Sequence, residues 1–182
     1  MLLQDKKVII TGAGGGLGRA VAELFAEQGA MLALTDVSID LLKEMQASFE
    51  ERGYSSQAFP LDVSDKLQVE QVVQSVNQKF GGIDCLVNLA GGSLYTPKHL
   101  PQITESDWDL VNDVNMKGTF FMCQAVAPIM IQQGGGKIVN MASIGGRLAS
   151  LVTGVAYAAA KGAVISFTRR LAKELGPHGI TV

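Results

Sequence analysis

The sequence predicts a doubly wound parallel α/β sheet with helices on both faces, and three observations carry that prediction. Short apolar runs without alternation, such as Lys7-Val8-Ile9-Ile10-Thr11, suit strands buried on both faces. Each run is followed by a longer stretch with helical apolar spacing, as the right-handed crossovers of a parallel sheet require. Glycines 12, 14, 15, 16 and 18 then separate the first strand from the first helix, where the backbone must turn sharply or approach a ligand.

In chain order, Lys7 to Thr11 is the first strand, and a helix from Arg19 to Gln28 follows on Val21, Leu24 and Phe25, closed by Gly29. Met31 to Thr35 is the second strand; Ser38 is the expected cap of a helix reaching about Arg52. Ser56 to Leu61 is the third strand, and Ser64 the expected cap of a helix reaching about Phe80. Cys85 to Asn88 is the fourth strand, and a loop with Gly92, Pro97 and Pro101 comes next. Thr104 and Asp107 are spaced as a capping box that opens a helix to about Gln133, where glycines 134 to 136 stop it. Lys137 to Met141 is the fifth strand, 142 to 154 a loop, and Val155 to Leu175 a helix ended by Gly176-Pro177. Ile180 to Val182 begins a sixth strand, at which the sheet is cut short. In such a sheet the ligand site lies beyond the carboxyl ends of the strands.

A chain of 182 residues with no linkers or repeats is expected to form one domain, 1–182. Fifteen Lys and Arg against seventeen Asp and Glu give a net charge of −2, so no electrostatic case exists for nucleic acid or an anionic membrane. Small molecules are the expected partners. No run approaches the roughly eighteen apolar residues of a membrane span, and MLLQDKKVII lacks the layout of a signal peptide, so a cytoplasmic location is expected. Cys85 and Cys123 lack CxxC or histidine partners at metal spacing, which makes them core residues and leaves no metal in the reading.

Thr11-Gly12-Ala13-Gly14-Gly15-Gly16-Leu17-Gly18 has TGxxxGxG spacing between a strand and a helix. Its glycines admit a pyrophosphate to the unpaired N–H groups of the helix N-terminus; a bare flexible turn is the alternative. Asp36 ends the second strand, where a carboxylate accepts hydrogen bonds from an adenosine ribose and repels a 2′-phosphate. No Lys or Arg in the glycine turn offsets it, so NAD is preferred over NADP; Asp36 could instead only shape the turn before the next helix. Asp62 belongs beside an adenine or in a cap, and Asn88-Leu89-Ala90-Gly91 either faces the site or bridges the sheet. Asn115 is a poor helix former inside the long helix, placed there to bind water or a carbonyl at a distortion, or simply solvated. Ser143 follows the fifth strand directly and could donate to a substrate oxygen. Trp108, Phe120 and Phe121 suit a core or a subunit contact.

Tyr157 and Lys161 stand four residues apart, on one face of the last helix. A cation fixed beside a phenol favours the phenolate. Bringing a phenol from its reference near 10 to neutrality takes roughly three units, or about 4 kcal/mol, so further positive charge is required nearby.

Together, TGxxxGxG, Asp36, NxAG at 88 to 91, Asn115, Ser143 and YxxxK at 157 to 161 resemble the short-chain dehydrogenase/reductase family, in order and spacing, from Lys7 to the last residue. The likeness is greatest to the branch containing 3-oxoacyl-(acyl carrier protein) reductases and related alcohol or sugar dehydrogenases. It implies a Rossmann-like NAD(P)-binding domain that exchanges a hydride between NAD(H) and a secondary alcohol or ketone. Tyr157 would be the general acid/base, Ser143 would orient the substrate oxygen, Lys161 would hold the nicotinamide ribose, and Asn115 would complete a proton relay through water. Cofactor contacts would come from Gly12, Gly16, Leu17, Gly18, Asp36, Asp62, Val63, Asn88, Ala90, Gly91, Tyr157 and Lys161. The charge of NAD⁺ would supply the extra cation that the phenolate requires. A homodimer or homotetramer is implied, with the helices near 105 and 155 between subunits. Leu89 departs from the NNAG usual in the family. Relatives continue beyond ITV into substrate-covering helices, so a noncatalytic dinucleotide-binding fragment is the alternative; a sugar epimerase is disfavoured by the glycine spacing.

Overall fold

The computed structural model describes Met1–Val182 and contains six strands: β1 (Lys7–Thr11), β2 (Met31–Asp36), β3 (Ser56–Pro60), β4 (Cys85–Asn88), β5 (Gly136–Asn140) and β6 (Ile180–Thr181). All pair in parallel, in the order β3-β2-β1-β4-β5-β6. The order reverses between β1 and β4, which opens a crevice at their carboxyl ends. Six helices complete the chain: α1 (Gly16–Glu27), α2 (Ile39–Glu51), α3 (Lys66–Phe80), α4 (Glu105–Asn112), α5 (Gly118–Gln132) and α6 (Val155–Leu175).

Alternation along the buried strands divides the core into two layers. Ile9, Leu86 and Ile138 face the layer shared with α3 and α5, whereas Val8, Ile10 and Val87 face Ala22, Leu42 and Phe49 of α1 and α2. Both faces of the central strands are therefore apolar, which is why they show no polar alternation in sequence.

The differences from the sequence reading lie at the ends of helices and strands and within the long helix; β2 runs one residue further, to Asp36, β3 stops at Pro60 and β5 at Asn140. α1 begins at Gly16 rather than Arg19, because close packing against the turn, not helix propensity, decides its first residues. Ser38 occupies the N-cap of α2 without a capping side-chain bond, and its N–H is taken by Asp36 Oδ1 at 3.0 Å. Asp65, not Ser64, caps α3, accepting from the N–H groups of Leu67 and Gln68; Ser64 Oγ donates to Asp62 instead. The expected long helix is continuous from Glu105 but passes through a π-helical turn at Asp113–Lys117, which holds Asn115. Extra backbone length in such a turn frees carbonyls and re-aims side chains. β5 begins one residue early, at Gly136, which pairs with Ile180. Trp108 and Phe120 are exposed, while Phe121 packs against the core.

The capping box at Thr104 and Asp107 is complete: each residue's side chain accepts the other's backbone N–H. Thr104→Ala is expected to lower stability by about 1 kcal/mol in a denaturant titration, leaving the sheet intact. No helix is long and apolar enough to cross a membrane.

Candidate active site

One end of the site is built where β1 turns into α1. Gly12 has φ +67°, and a Cβ there would stand 2.9 Å from the backbone N and Cα of Ala90. Glycine thus lets β1 and the residues after β4 close on each other. Thr11 Oγ1 secures that approach by accepting the N–H groups of Leu89 and Ala90, both at 3.1 Å. Gly18 is pressed onto Gly12, where any Cβ would collide with the Gly12 carbonyl, so α1 enters flat against its own turn. At Gly16 a Cβ would meet nothing within 4 Å.

The first turn of α1 has no capping side chain, and the N–H groups of Gly16, Leu17 and Gly18 find no acceptor in the chain. Three donors at a helix N-terminus, over an open floor, fit an anionic diphosphate. Beside them Asp36 Oδ2 accepts the Gly14 N–H at 3.0 Å and Oδ1 the Ser38 N–H, which fixes the carboxylate at the end of β2. Each oxygen keeps acceptor capacity for a hydroxyl. Gly12, Asp36, Asp62, Val63 and Ala90 line one cleft of about 300 Å³, with apolar walls from Leu61, Leu110 and Val114. Its shape and lining fit a flat heterocycle with a diol at its edge, so the residues present suit an adenine dinucleotide.

The other end lies where β4, β5, the π turn and α6 meet. Asn115 is fully buried. Its Oδ1 accepts the Gly92 N–H at 3.0 Å, and its Nδ2 donates to the carbonyls of Gly92 and Val111. A Cβ on Gly91 would collide with that amide and stand 3.5 Å from Lys161 Nζ. Lys161 is 3% exposed; its Nζ donates to the Met141 carbonyl at 2.8 Å and lies 5.7 Å from the centre of the Tyr157 ring. Tyr157 is half-buried against Val111, Ala156 and Ala160. Ser143 lies beyond the end of β5, where its Oγ accepts the Gly145 N–H at 3.2 Å. The turn at Ile144–Gly146 is held on α6 because a Cβ on Gly146 would stand 2.5 Å from the Lys161 backbone.

Burial of the Lys161 ammonium lowers its pKa from 10.5 to about 8. Unfolded lysine keeps its ordinary value, so the unfolded chain binds more protons between these two pH values. This group therefore opposes folding most below pH 8, and its penalty is relieved as pH rises from about 8 towards 10.5. The cysteines differ: burial pushes the buried Cys123 up to about 12 and the partly buried Cys85 up to about 11, which keeps both as thiols at neutral pH.

Of the residues singled out in the sequence, Gly12, Asp36, Asp62, Val63 and Ala90 come together in the cleft, with Gly16, Leu17 and Gly18 on the helix start. Asn115, Gly91, Tyr157 and Lys161 form a second group. Asn88 lies behind both, 3% exposed, with its Nδ2 donating to Asn140 Oδ1 at 2.9 Å across the sheet. Asp62 Oδ1 accepts the N–H and hydroxyl of Ser64, holding the turn before α3. Sequence reasoning missed Thr11 and the Met141 carbonyl. A buried threonine at a strand end was a usable signal for the first; a backbone carbonyl has no signature.

The chain matches the family model described as short chain dehydrogenase over residues 6–182. A galactitol 2-dehydrogenase of Agrobacterium fabrum is 41% identical across 100% of this chain, which covers 69% of that relative. A 3-oxoacyl-[acyl-carrier-protein] reductase of Thermotoga maritima is 40% identical across 100% of the chain and 73% of the relative. Among solved structures, NAD⁺-bound xylitol dehydrogenase superposes with a TM-score of 0.95 at 35% identity, over 100% of this chain and 69% of that one.

Proposed function

The chain belongs to the short-chain dehydrogenase family, and from that premise we propose that it transfers a hydride between NAD(H) and the carbinol carbon of a secondary alcohol or ketone. The observation that carries this reading is the buried Lys161 ammonium held 5.7 Å from the Tyr157 ring. A bound nicotinamide supplies the hydride acceptor or donor and, when oxidised, a positive charge.

The chain's own residues do the rest. In oxidation the Tyr157 phenolate takes the hydroxyl proton of the substrate; in reduction the phenol returns a proton to the carbonyl oxygen. Lys161 places its ammonium 5.7 Å from the Tyr157 ring, most fully charged below pH 8. Ser143 Oγ accepts the Gly145 N–H, which leaves its own proton free to donate to the substrate oxygen. Asn115 holds the 91–92 loop beside Lys161, so that protons leaving Tyr157 have a polar route through the lysine to water. Gly16, Leu17 and Gly18 hold the diphosphate, Asp36 the adenosine ribose, and Asp62, Val63 and Ala90 the adenine.

Asp36 also carries cofactor choice. Its carboxylate accepts a ribose hydroxyl and repels a 2′-phosphate, and the only cation on α1, Arg19, is paired with Glu44 at 2.9 Å. Asp36→Ala is expected to weaken NADH at least tenfold while leaving NADPH unchanged or tighter, as read by cofactor fluorescence; equal losses for both would remove the specificity argument. Relatives named for galactitol and xylitol make polyols and small ketones the first substrates to test. The protein is further proposed to form a homodimer or homotetramer through α4, α5 and α6, whose exposed Trp108 and Phe120 suit a subunit contact; sedimentation of a monomer would refute this.

A further inference from the structure

α6 carries both Tyr157 and Lys161, and it is tied to the end of β5 at two points on one face, seven residues apart. At the first, Lys161 Nζ donates to the Met141 carbonyl at 2.8 Å. At the second, Asn140 Nδ2 donates to Thr168 Oγ1 at 3.0 Å. Asn140 is the residue before Met141, so both ties belong to a single dipeptide. That dipeptide is itself fixed to β4: Asn88 Nδ2 donates to Asn140 Oδ1 at 2.9 Å, and the Met141 N–H donates to the Asn88 carbonyl at 3.1 Å. The Cys123 thiol also faces Asn140 Oδ1, at 3.6 Å. A chain of side-chain hydrogen bonds therefore runs from β4 through Asn140 to α6, parallel to the one contact that holds the lysine head.

We propose that Asn140 and Thr168 are positioning residues that set the height of α6 on the sheet and so hold Lys161 Nζ on the Met141 carbonyl, beside Tyr157. The inference rests on the reading of Tyr157 and Lys161 given above. Two turns of helix separate Lys161 from Thr168, too short a span for the helix to bend, so release of Thr168 moves the lysine head with it. Lys161 feels such a movement strongly because it has few other partners. No carboxylate pairs with it, and burial is the cause of its lowered pKa. Tyr157 is the titratable group set against it; from the other elements Gly91 and the Met141 carbonyl lie near its head and the Gly146 turn against its backbone, none of which titrates. Lengthening of the hydrogen bond to the carbonyl costs the ammonium more than the neutral amine, whose N–H is the weaker donor, which moves the pKa further down.

The test is the titration of Lys161 Nζ by NMR on ¹⁵N-lysine-labelled protein, its signal identified by loss in Lys161→Arg. Thr168→Val keeps the shape and deletes the hydroxyl; Thr168→Ser keeps the hydroxyl. Thr168→Val is expected to lower the Lys161 pKa by about half a unit to one unit, with Thr168→Ser within about 0.2 units of the parent. Thr168→Ala gives the same reading should the valine variant fail to fold. No shift or an upward shift in Thr168→Val or Thr168→Ala, or an equal shift in Thr168→Ser, overturns the proposal. NADH titration of the parent is the separate control: failure to bind would count against the dinucleotide reading and leave the lysine titration standing.

Discussion

Tyr157→Phe is expected to lower turnover by ~10²–10⁴-fold, the usual contribution of a positioned general acid/base, while NADH binding stays within a few-fold of the parent. The substitution removes one oxygen and keeps the ring that packs on Val111, Ala156 and Ala160, so the fold and the lysine's burial are retained. Without the hydroxyl the substrate proton has no phenolate to receive it. Ser143, whose Oγ is engaged by the Gly145 N–H, is a poor substitute because an alcohol is a much weaker base than a phenolate. The proposed cofactor contacts lie mainly on the glycine turn and in the cleft beyond β2, on other elements, so binding is expected to be spared. Parallel measurement of steady-state rate and NADH fluorescence checks the prediction. Turnover that survives the change would remove Tyr157 from the chemistry.

The second large effect is expected from Gly18→Ala, which should abolish detectable NADH binding and lower the melting temperature. A Cβ at Gly18 would stand 2.8 Å from both Ala13 Cα and the Gly12 carbonyl carbon, and would collide with the Gly12 oxygen. Every one of these is a backbone atom, so no flexible side chain can give way. Overpacking of this kind costs about 1–3 kcal/mol, and α1 must lift off its turn to relieve it. The three unpaired N–H groups would then no longer converge. Gly16→Ala provides the contrast. Its Cβ meets nothing in the chain, so stability should be kept while the methyl obstructs the proposed diphosphate floor. Melting curves and NADH titrations of the two variants separate a packing glycine from a ligand-facing one.

The sheet and the order of its elements were legible because burial on both faces leaves uninterrupted apolar runs, and glycine or proline marks nearly every change of direction. β4 at Cys85–Asn88 and α6 at Val155–Leu175 match the sequence reading to the residue. Helix starts were less legible wherever a local side chain competed for the same backbone groups. At α3 both Ser64 and Asp65 are good caps by type, and the choice fell to Asp65 because Ser64 is held by Asp62. Asn115 marked a distortion in the long helix, since an asparagine there needs partners other than the helix, but its partner, the Gly92 backbone, lies across the crevice. The Met141 carbonyl that holds Lys161 was invisible for a similar reason: it depends on how α6 lies on β5, a relation between two surfaces. Asn88 was left between a site residue and a bridge, and the packing of β4 on β5 places its amide against Asn140.

The most direct test of the central claim is isotope transfer. The protein is incubated with NAD⁺ and secondary alcohols, galactitol and xylitol first, that carry deuterium on the carbinol carbon, and the nicotinamide product is weighed by mass spectrometry. Direct hydride transfer predicts NADH one deuterium heavier, formed by the parent and not by Tyr157→Phe. NADH that binds tightly while no alcohol in the panel yields any deuterated product would contradict the account and leave a dinucleotide-binding module without catalysis.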